Sequence, residues 1–203
     1  MEITHKLGTL ERYSADFDRA VLNQDTFSKN QLAYTLKKLA FGEEKYRSVE
    51  AKTEVPWFLV GCLHGLEASF NFNTCLHNGD PLPGPTKNVP KGRGPFDSWE
   101  DAAVDALLYE IHSRKLDIGE WTIERCLWFA ELYNGVGYLK RGRMSPYLWS
   151  GTSLYTRGKY VRDGIYNPFA TSKQVGVASV IKALLNRGAI QIITQDISEE
   201  PSP

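Results

Sequence analysis

Trp57-Phe58-Leu59-Val60-Gly61-Cys62-Leu63-His64-Gly65-Leu66-Glu67 is the stretch whose reading decides the fold. It is apolar on nearly every side at helical spacing, so it predicts a helix buried all round at the centre of a mainly helical core. Pro56 suits the first helical turn, and Thr53 stands just before it. Ser69-Phe70-Asn71-Phe72-Asn73 marks the end. Working outward, the chain supplies helices to surround this one. Toward the N-terminus, Leu10, Tyr13, Phe17 and Val21 recur at spacings of three and four, as do Leu32, Leu36, Leu39 and Phe41 within Gln31 to Tyr46. Toward the C-terminus, Ser98 with Asp101 three residues later is an approximate capping box. It opens a helix carrying Ala102, Val104, Leu107, Leu108 and Ile111. Further helices are predicted from Thr122 through Leu132 and from Ser172 through Leu185.

Two stretches break this pattern. His77 to Pro95 holds five prolines, four glycines and the turn sequence Asn78-Gly79-Asp80-Pro81. It predicts a small lobe with one short strand at Thr86 to Val89. Gly137 to Pro168, rich in Gly, Tyr, Arg and Trp, reads as irregular. The expected fold is therefore mainly α, a helical domain with a small β-containing lobe. Packing helices occupy 1–50, the main domain 51–190, and a frayed tail 191–203.

Composition narrows the partners. Lys+Arg and Asp+Glu both number 24, so the balance gives no electrostatic reason to expect nucleic acid or an anionic membrane. A polar polymer without strong charge suits it better. No run approaches the ~20 apolar residues of a membrane span, and Met1 to Lys6 has no apolar signal-peptide core. Three cysteines, Cys62, Cys75 and Cys126, match no zinc spacing and read as reduced core thiols. The chain is expected to be made in the cytoplasm and to take no cofactor.

Glu67 is the most informative single position. A carboxyl ending a nearly all-apolar helix is expected to be paired, or to be raised in pKa by burial. A raised Glu can hold its proton near neutral pH and deliver it to a leaving alkoxide, which glycoside cleavage needs. The alternative is a Glu at the helix surface or paired with an Arg. Asp80 is the natural second carboxylate, expected to stay ionised in its polar turn and to activate water; an ordinary turn Asp fits the same residues. Asp97 is the reserve. His64 with Glu67, and His77 with Asp80, share a spacing of three that a divalent ion can use. The second pair lies in a turn with no helix to fix it, so no metal is expected and His64 reads as a core or supporting histidine.

Later in the chain, Glu131-Leu132-Tyr133-Asn134-Gly135-Val136-Gly137-Tyr138 ends a helix in a polar, glycine-rich turn. Such glycines allow a ligand close to the backbone. Ser145-Pro146-Tyr147-Leu148-Trp149-Ser150, then Tyr155 to Tyr160, interleaves aromatics with hydroxyls and cations. That mixture suits sugar rings, stacked nucleotides, or simple packing.

Glu67-Ala68-Ser69 at a buried helix end resembles the catalytic Glu-x-Ser motif of the lysozyme-like superfamily, which includes goose-type lysozymes and lytic transglycosylases. Tyr133-Asn134 with Gly135 and Gly137 resembles its later Tyr-Asn-x-Gly motif. Leu76 to Leu82 and Ser145 to Ser150 are similar to segments of small phage and bacterial lysozyme-family proteins, and the similarity runs from about residue 40 to 187. The Gly-x-x-Gln motif of the transglycosylases does not occur between Glu67 and Tyr133. The resemblance implies a lysozyme-like α+β fold flanking a glycan cleft, with Glu67 and Asp80 catalytic. It further implies substrate contacts from Ser69, His77, Asn78, Tyr133, Asn134, Tyr147, Trp149 and Tyr155. The implied activity is that of a muramidase, an endolysin-like glycosidase of bacterial peptidoglycan acting on the wall after release or export. The alternatives are a lytic transglycosylase, a chitinase or chitosanase, and a phage-tail or wall-binding protein that does not cleave.

Overall fold

A computed structural model describes residues 10–162 and 164–192. The chain divides into two compact units, Met1–Leu32 with Glu120–Pro203, and Ala33–Gly119. In chain order the elements are α1 (Leu10–Arg19), α2 (Thr26–Thr53), α3 (Trp57–Ala68), α4 (Trp99–Ser113), α5 (Ile123–Tyr133), α6 (Gly137–Lys140), α7 (Pro146–Trp149), β1 (Lys159–Arg162), β2 (Ile165–Asn167) and α8 (Val177–Asn186). The architecture is mainly helical with one two-stranded antiparallel sheet. The break expected at 50/51 falls inside α2, one uninterrupted helix. Of the expected tail, residues 193–203 lie outside the described residues.

The unit Ala33–Gly119 is built on α3. Trp57 through Gly65 are all buried, as an all-apolar helix requires. Gly61 lets α2 approach: a Cβ there would lie 2.2 Å from Leu39 Cδ2 and 2.9 Å from the Tyr46 ring. Leu36, Leu39, Tyr46 and Val49 of α2 are buried, whereas Phe41 is 83% exposed and faces away from that core. Ser98 caps α4, its Oγ accepting from Asp101 N at 3.1 Å and donating to Asp101 Oδ2 at 2.7 Å. Apolar burial continues along α4 through Trp99, Ala102, Ala103, Ala106 and Leu107.

In the other unit, α5 packs against α1, α7 and α8. Thr122 caps α5, its Oγ1 accepting from Arg125 N at 3.4 Å. Tyr13 and Phe17 of α1, Leu127 and Phe129 of α5, Leu148 and Trp149 of α7, and Ile181 and Leu184 of α8 are all buried. The last helix starts at Val177 rather than Ser172. Gly176 there holds the chain against α7: a Cβ would meet Leu148 O at 2.3 Å.

The β structure lies elsewhere than expected. Thr86 to Val89 form no strand, and residues 74–96 carry only the isolated bridges Thr74↔Pro81 and Gly84↔Phe96. The physical reason is the proline density, since each proline withholds an N–H from any ladder. The sheet is the hairpin β1–β2, with Tyr160 opposite Tyr166, inside the stretch read as irregular. Its signal was present in the sequence: Asp163-Gly164 stands between Tyr160-Val161 and Ile165-Tyr166, the turn pair that favours hairpins.

Candidate functional site

Within Ala33–Gly119, Glu67 sits in the last turn of α3. Burial fades at Leu66, which is half-buried, and Glu67 and Ser69 are exposed. The expected desolvation of Glu67 is therefore a correction: the helix is buried only as far as Gly65. Ser69 takes a left-handed conformation, φ 51°, and its N–H bonds back to His64 O, ending the helix immediately beyond the carboxyl. Glu67 is thereby an exposed carboxyl mounted on a rigid, deeply embedded helix.

His64 is wholly buried among Tyr46, Phe70, Phe72 and Trp99, with its ring 4.5 Å from that of Trp99. Its Nδ1 bonds the Tyr46 hydroxyl at 2.9 Å. Burial pushes its pKa down to about 4, opposed in part by the Asn71 backbone. It is a neutral core histidine, and the tautomer that accepts from Tyr46 at Nδ1 carries its proton on Nε2.

Asp80 is buried and bonded through both carboxylate oxygens. Its Oδ2 accepts from Lys87 N at 2.7 Å and Asn88 N at 2.8 Å, and its Oδ1 from Asn88 Nδ2 at 2.6 Å. The Asn88 backbone N–H, then that of Lys87, and the Asn88 side chain hold its pKa below the ordinary value against desolvation. Its oxygens organise the 80–90 loop. Asn78 joins the same turn, its Oδ1 accepting from Asp80 N at 3.0 Å. His77 lies apart from this arrangement. It stacks on Phe96 and bonds Asp105 Oδ2 through Nε2 at 2.9 Å. Asp105 in turn grips Arg93, whose guanidinium lies over Tyr109. This His77–Asp105–Arg93 chain joins loop to α4, and Arg93, Asp105 and Tyr109 line an open groove of about 620 Å³. Asp97 is exposed. Among the described residues no group of three His, Cys, Asp or Glu is arranged to hold a metal ion.

The remaining residues implied by the resemblance belong to the other unit. Tyr133 and Asn134 are half-buried at the end of α5. Asn134 Nδ2 reaches Ser145 Oγ at 3.4 Å, and the same hydroxyl accepts from Tyr147 N, so Asn134 and the start of α7 meet through Ser145. Trp149 is 2% exposed and serves the core. Tyr155 accepts from Ser172 N at its hydroxyl and lines a groove of about 370 Å³ with Asn23, Asp25, Phe27, Thr171 and Gln174.

The sequence reading passed over the carboxyl whose chemistry is most altered. Glu131 on α5 is 4% exposed, and burial raises its pKa to about 7, with Arg12 pulling the other way. Burial, then Glu131, raises the pKa of buried Tyr13 on α1. Among the described residues neither Glu131 Oε1 nor the Tyr13 hydroxyl has a hydrogen-bond partner. The available signal was helical: Glu131 falls four residues after Leu127, on the face an apolar residue already marks as buried. All three cysteines are buried, and among the described residues no helix is long and apolar enough to cross a membrane. No family model, no curated protein and no solved structure matches this chain.

Proposed function

We propose that the chain cleaves the glycan strands of bacterial peptidoglycan, with Glu67 as the proton donor. The observation that carries this reading is the mounting of Glu67. An exposed carboxyl stands at the end of a helix buried from Trp57 through Gly65, immediately before a left-handed Ser69. A group that must meet a polymer has to be reachable, and one that must hit a single oxygen has to be rigidly based. Because Glu67 is exposed, the bound sugar itself must strip water from the carboxyl and raise its pKa. Glu67 then gives its proton to the glycosidic oxygen as the bond from the anomeric carbon breaks. The resulting carboxylate takes a proton from the nucleophile that adds to that carbon.

Two products follow from two nucleophiles. Water gives a reducing end, the muramidase outcome. A hydroxyl of the same sugar gives an anhydro end, the transglycosylase outcome. The burial of Asp80 and its bonds to Lys87 and Asn88, which tie it to its own loop, favour the second reading. Incubation with purified peptidoglycan and with chitin, followed by mass analysis of the ends, tests the proposal. Cleavage that falls at least ~10²-fold in Glu67→Gln supports it. No cleavage of either polymer by the folded wild-type chain, with binding retained, points instead to a wall-binding protein.

A further inference from the structure

The zero net charge of the chain conceals a local excess. Between Tyr138 and Asn167 the sequence holds six cations, Lys140, Arg141, Arg143, Arg157, Lys159 and Arg162, against one acid, Asp163. The fold gathers five of them at or beside the hairpin β1–β2, and Lys140 precedes Arg141 on α6. Arg141 donates through Nε to the Tyr160 hydroxyl at 2.7 Å and lies over the Tyr160 and Tyr166 rings, at 5.7 and 5.9 Å. Arg143 lies 5.2 Å over Tyr166, and Arg157 lies 5.5 Å over Phe169. Lys159 and Arg162 belong to β1 itself. Among the described residues no carboxylate forms an ion pair with any of the six, whereas cations elsewhere in the chain do pair.

The hairpin and the turn that follows it carry protruding apolar side chains. Val161 is 46% exposed, Ile165 53% and Phe169 74%. The inner rings Tyr138, Tyr160 and Tyr166 pack edge-to-face on one another, so the hairpin has its own support and does not need these three for it. Guanidiniums stacked on rings are also held in place, leaving their N–H edges directed at an incoming anion.

We propose that the hairpin β1–β2 docks on an anionic lipid bilayer, the cations meeting phosphate headgroups while Val161, Ile165 and Phe169 enter the interface. Cations alone would suit any polyanion, such as a nucleic acid or a phosphate-bearing wall polymer. The aliphatic side chains decide between them. Val161 and Ile165 cannot stack on bases and gain nothing from a hydrated polymer, but they gain by leaving water at a bilayer surface. This inference is independent of the glycan reading and concerns association with a membrane surface, not a span.

The test is vesicle flotation of the full chain with phosphatidylcholine alone and with phosphatidylcholine mixed with phosphatidylglycerol. Binding is expected only to the anionic vesicles and should weaken as salt rises. Arg157→Gln should lower the affinity about fivefold, the scale for one cation at an anionic surface. Phe169→Ser should lower it by at least ~10-fold, because it removes a large apolar side chain from the interface. Both residues are exposed, so circular dichroism should be unchanged, and Ile165→Ser is a second apolar variant should Phe169→Ser fail to fold. Absence of binding to anionic vesicles overturns the proposal. So does equal binding to the neutral vesicles. Tighter binding to single-stranded DNA or soluble polyphosphate, with no effect of Phe169→Ser or Ile165→Ser, also overturns it and makes the patch a polyanion site.

Discussion

Glu131→Gln should make the chain more stable at alkaline pH while changing it little in acid. The wild-type carboxyl is buried in α5 facing α1, and its pKa is raised from the ordinary 4.5 to about 7, chiefly by desolvation. A carboxyl raised in the folded state favours folding fully below its unfolded pKa, and that contribution is lost as pH rises through the folded value. The window here runs from about pH 4.5 to about 7. A rise of about 2.5 units, at ~1.36 kcal/mol per unit, corresponds to about 3 kcal/mol lost between those limits. From α1 the Arg12 guanidinium opposes the rise, and the neutral Tyr13 phenol is coupled to Glu131. Gln has the same shape and no charge, so it should remove most of this slope. Urea unfolding of both proteins at several pH values between 4.5 and 8.5 measures it. The variant should gain on the order of 2–3 kcal/mol on wild type at pH 8.5 and nearly match it at pH 4.5. Parallel pH profiles, or a Glu131 carboxyl carbon that titrates near pH 4.5 by NMR, would refute the reasoning.

Glu67→Gln should lower glycan cleavage at least ~10²-fold in a protein that remains folded by circular dichroism; a wild-type rate sinks the proposed role. Asp80→Asn should speed hydrogen exchange at the Lys87 and Asn88 amides on the order of tenfold, because a carboxylate acceptor is lost. Those amides should also lose protection in the wild type as pH falls through the lowered Asp80 pKa. A loss of cleavage with loop protection intact would instead make Asp80 the second catalytic carboxylate. Tyr46→Phe should destabilise the chain by about 1–2 kcal/mol by leaving buried His64 Nδ1 without its donor, read by denaturant titration. Gly61→Ala should cost about 1–3 kcal/mol because the new methyl meets Leu39 and Tyr46, and an unchanged midpoint would mean that α2 and α3 separate freely.

The sequence by itself determined what local rules control. Ser98 announced α4 because a capping side chain acts within three residues, and the stretch from Thr122 to Leu132 announced α5. The all-apolar run from Trp57 announced the buried α3, and the proline-rich 77–95 segment announced a region without helices. The hairpin was not read from the sequence, where Gly137 to Pro168 looks irregular, although Asp163-Gly164 is a residue pair that favours hairpin turns. Tertiary structure alone decided which face of each helix meets a neighbour, and therefore which carboxyl loses its water. Glu67 and Glu131 both close apolar helices and are alike by pattern. Yet α3 emerges after Gly65, while α5 packs against α1, so the first is exposed and the second is buried with its pKa raised to about 7. Asp80 followed the same logic: a turn Asp in the sequence became a buried anchor only when the loop returned Lys87 and Asn88 to it. Desolvation and hydrogen bonding depend on what folds back over a group, and that is set by packing between segments distant in the chain.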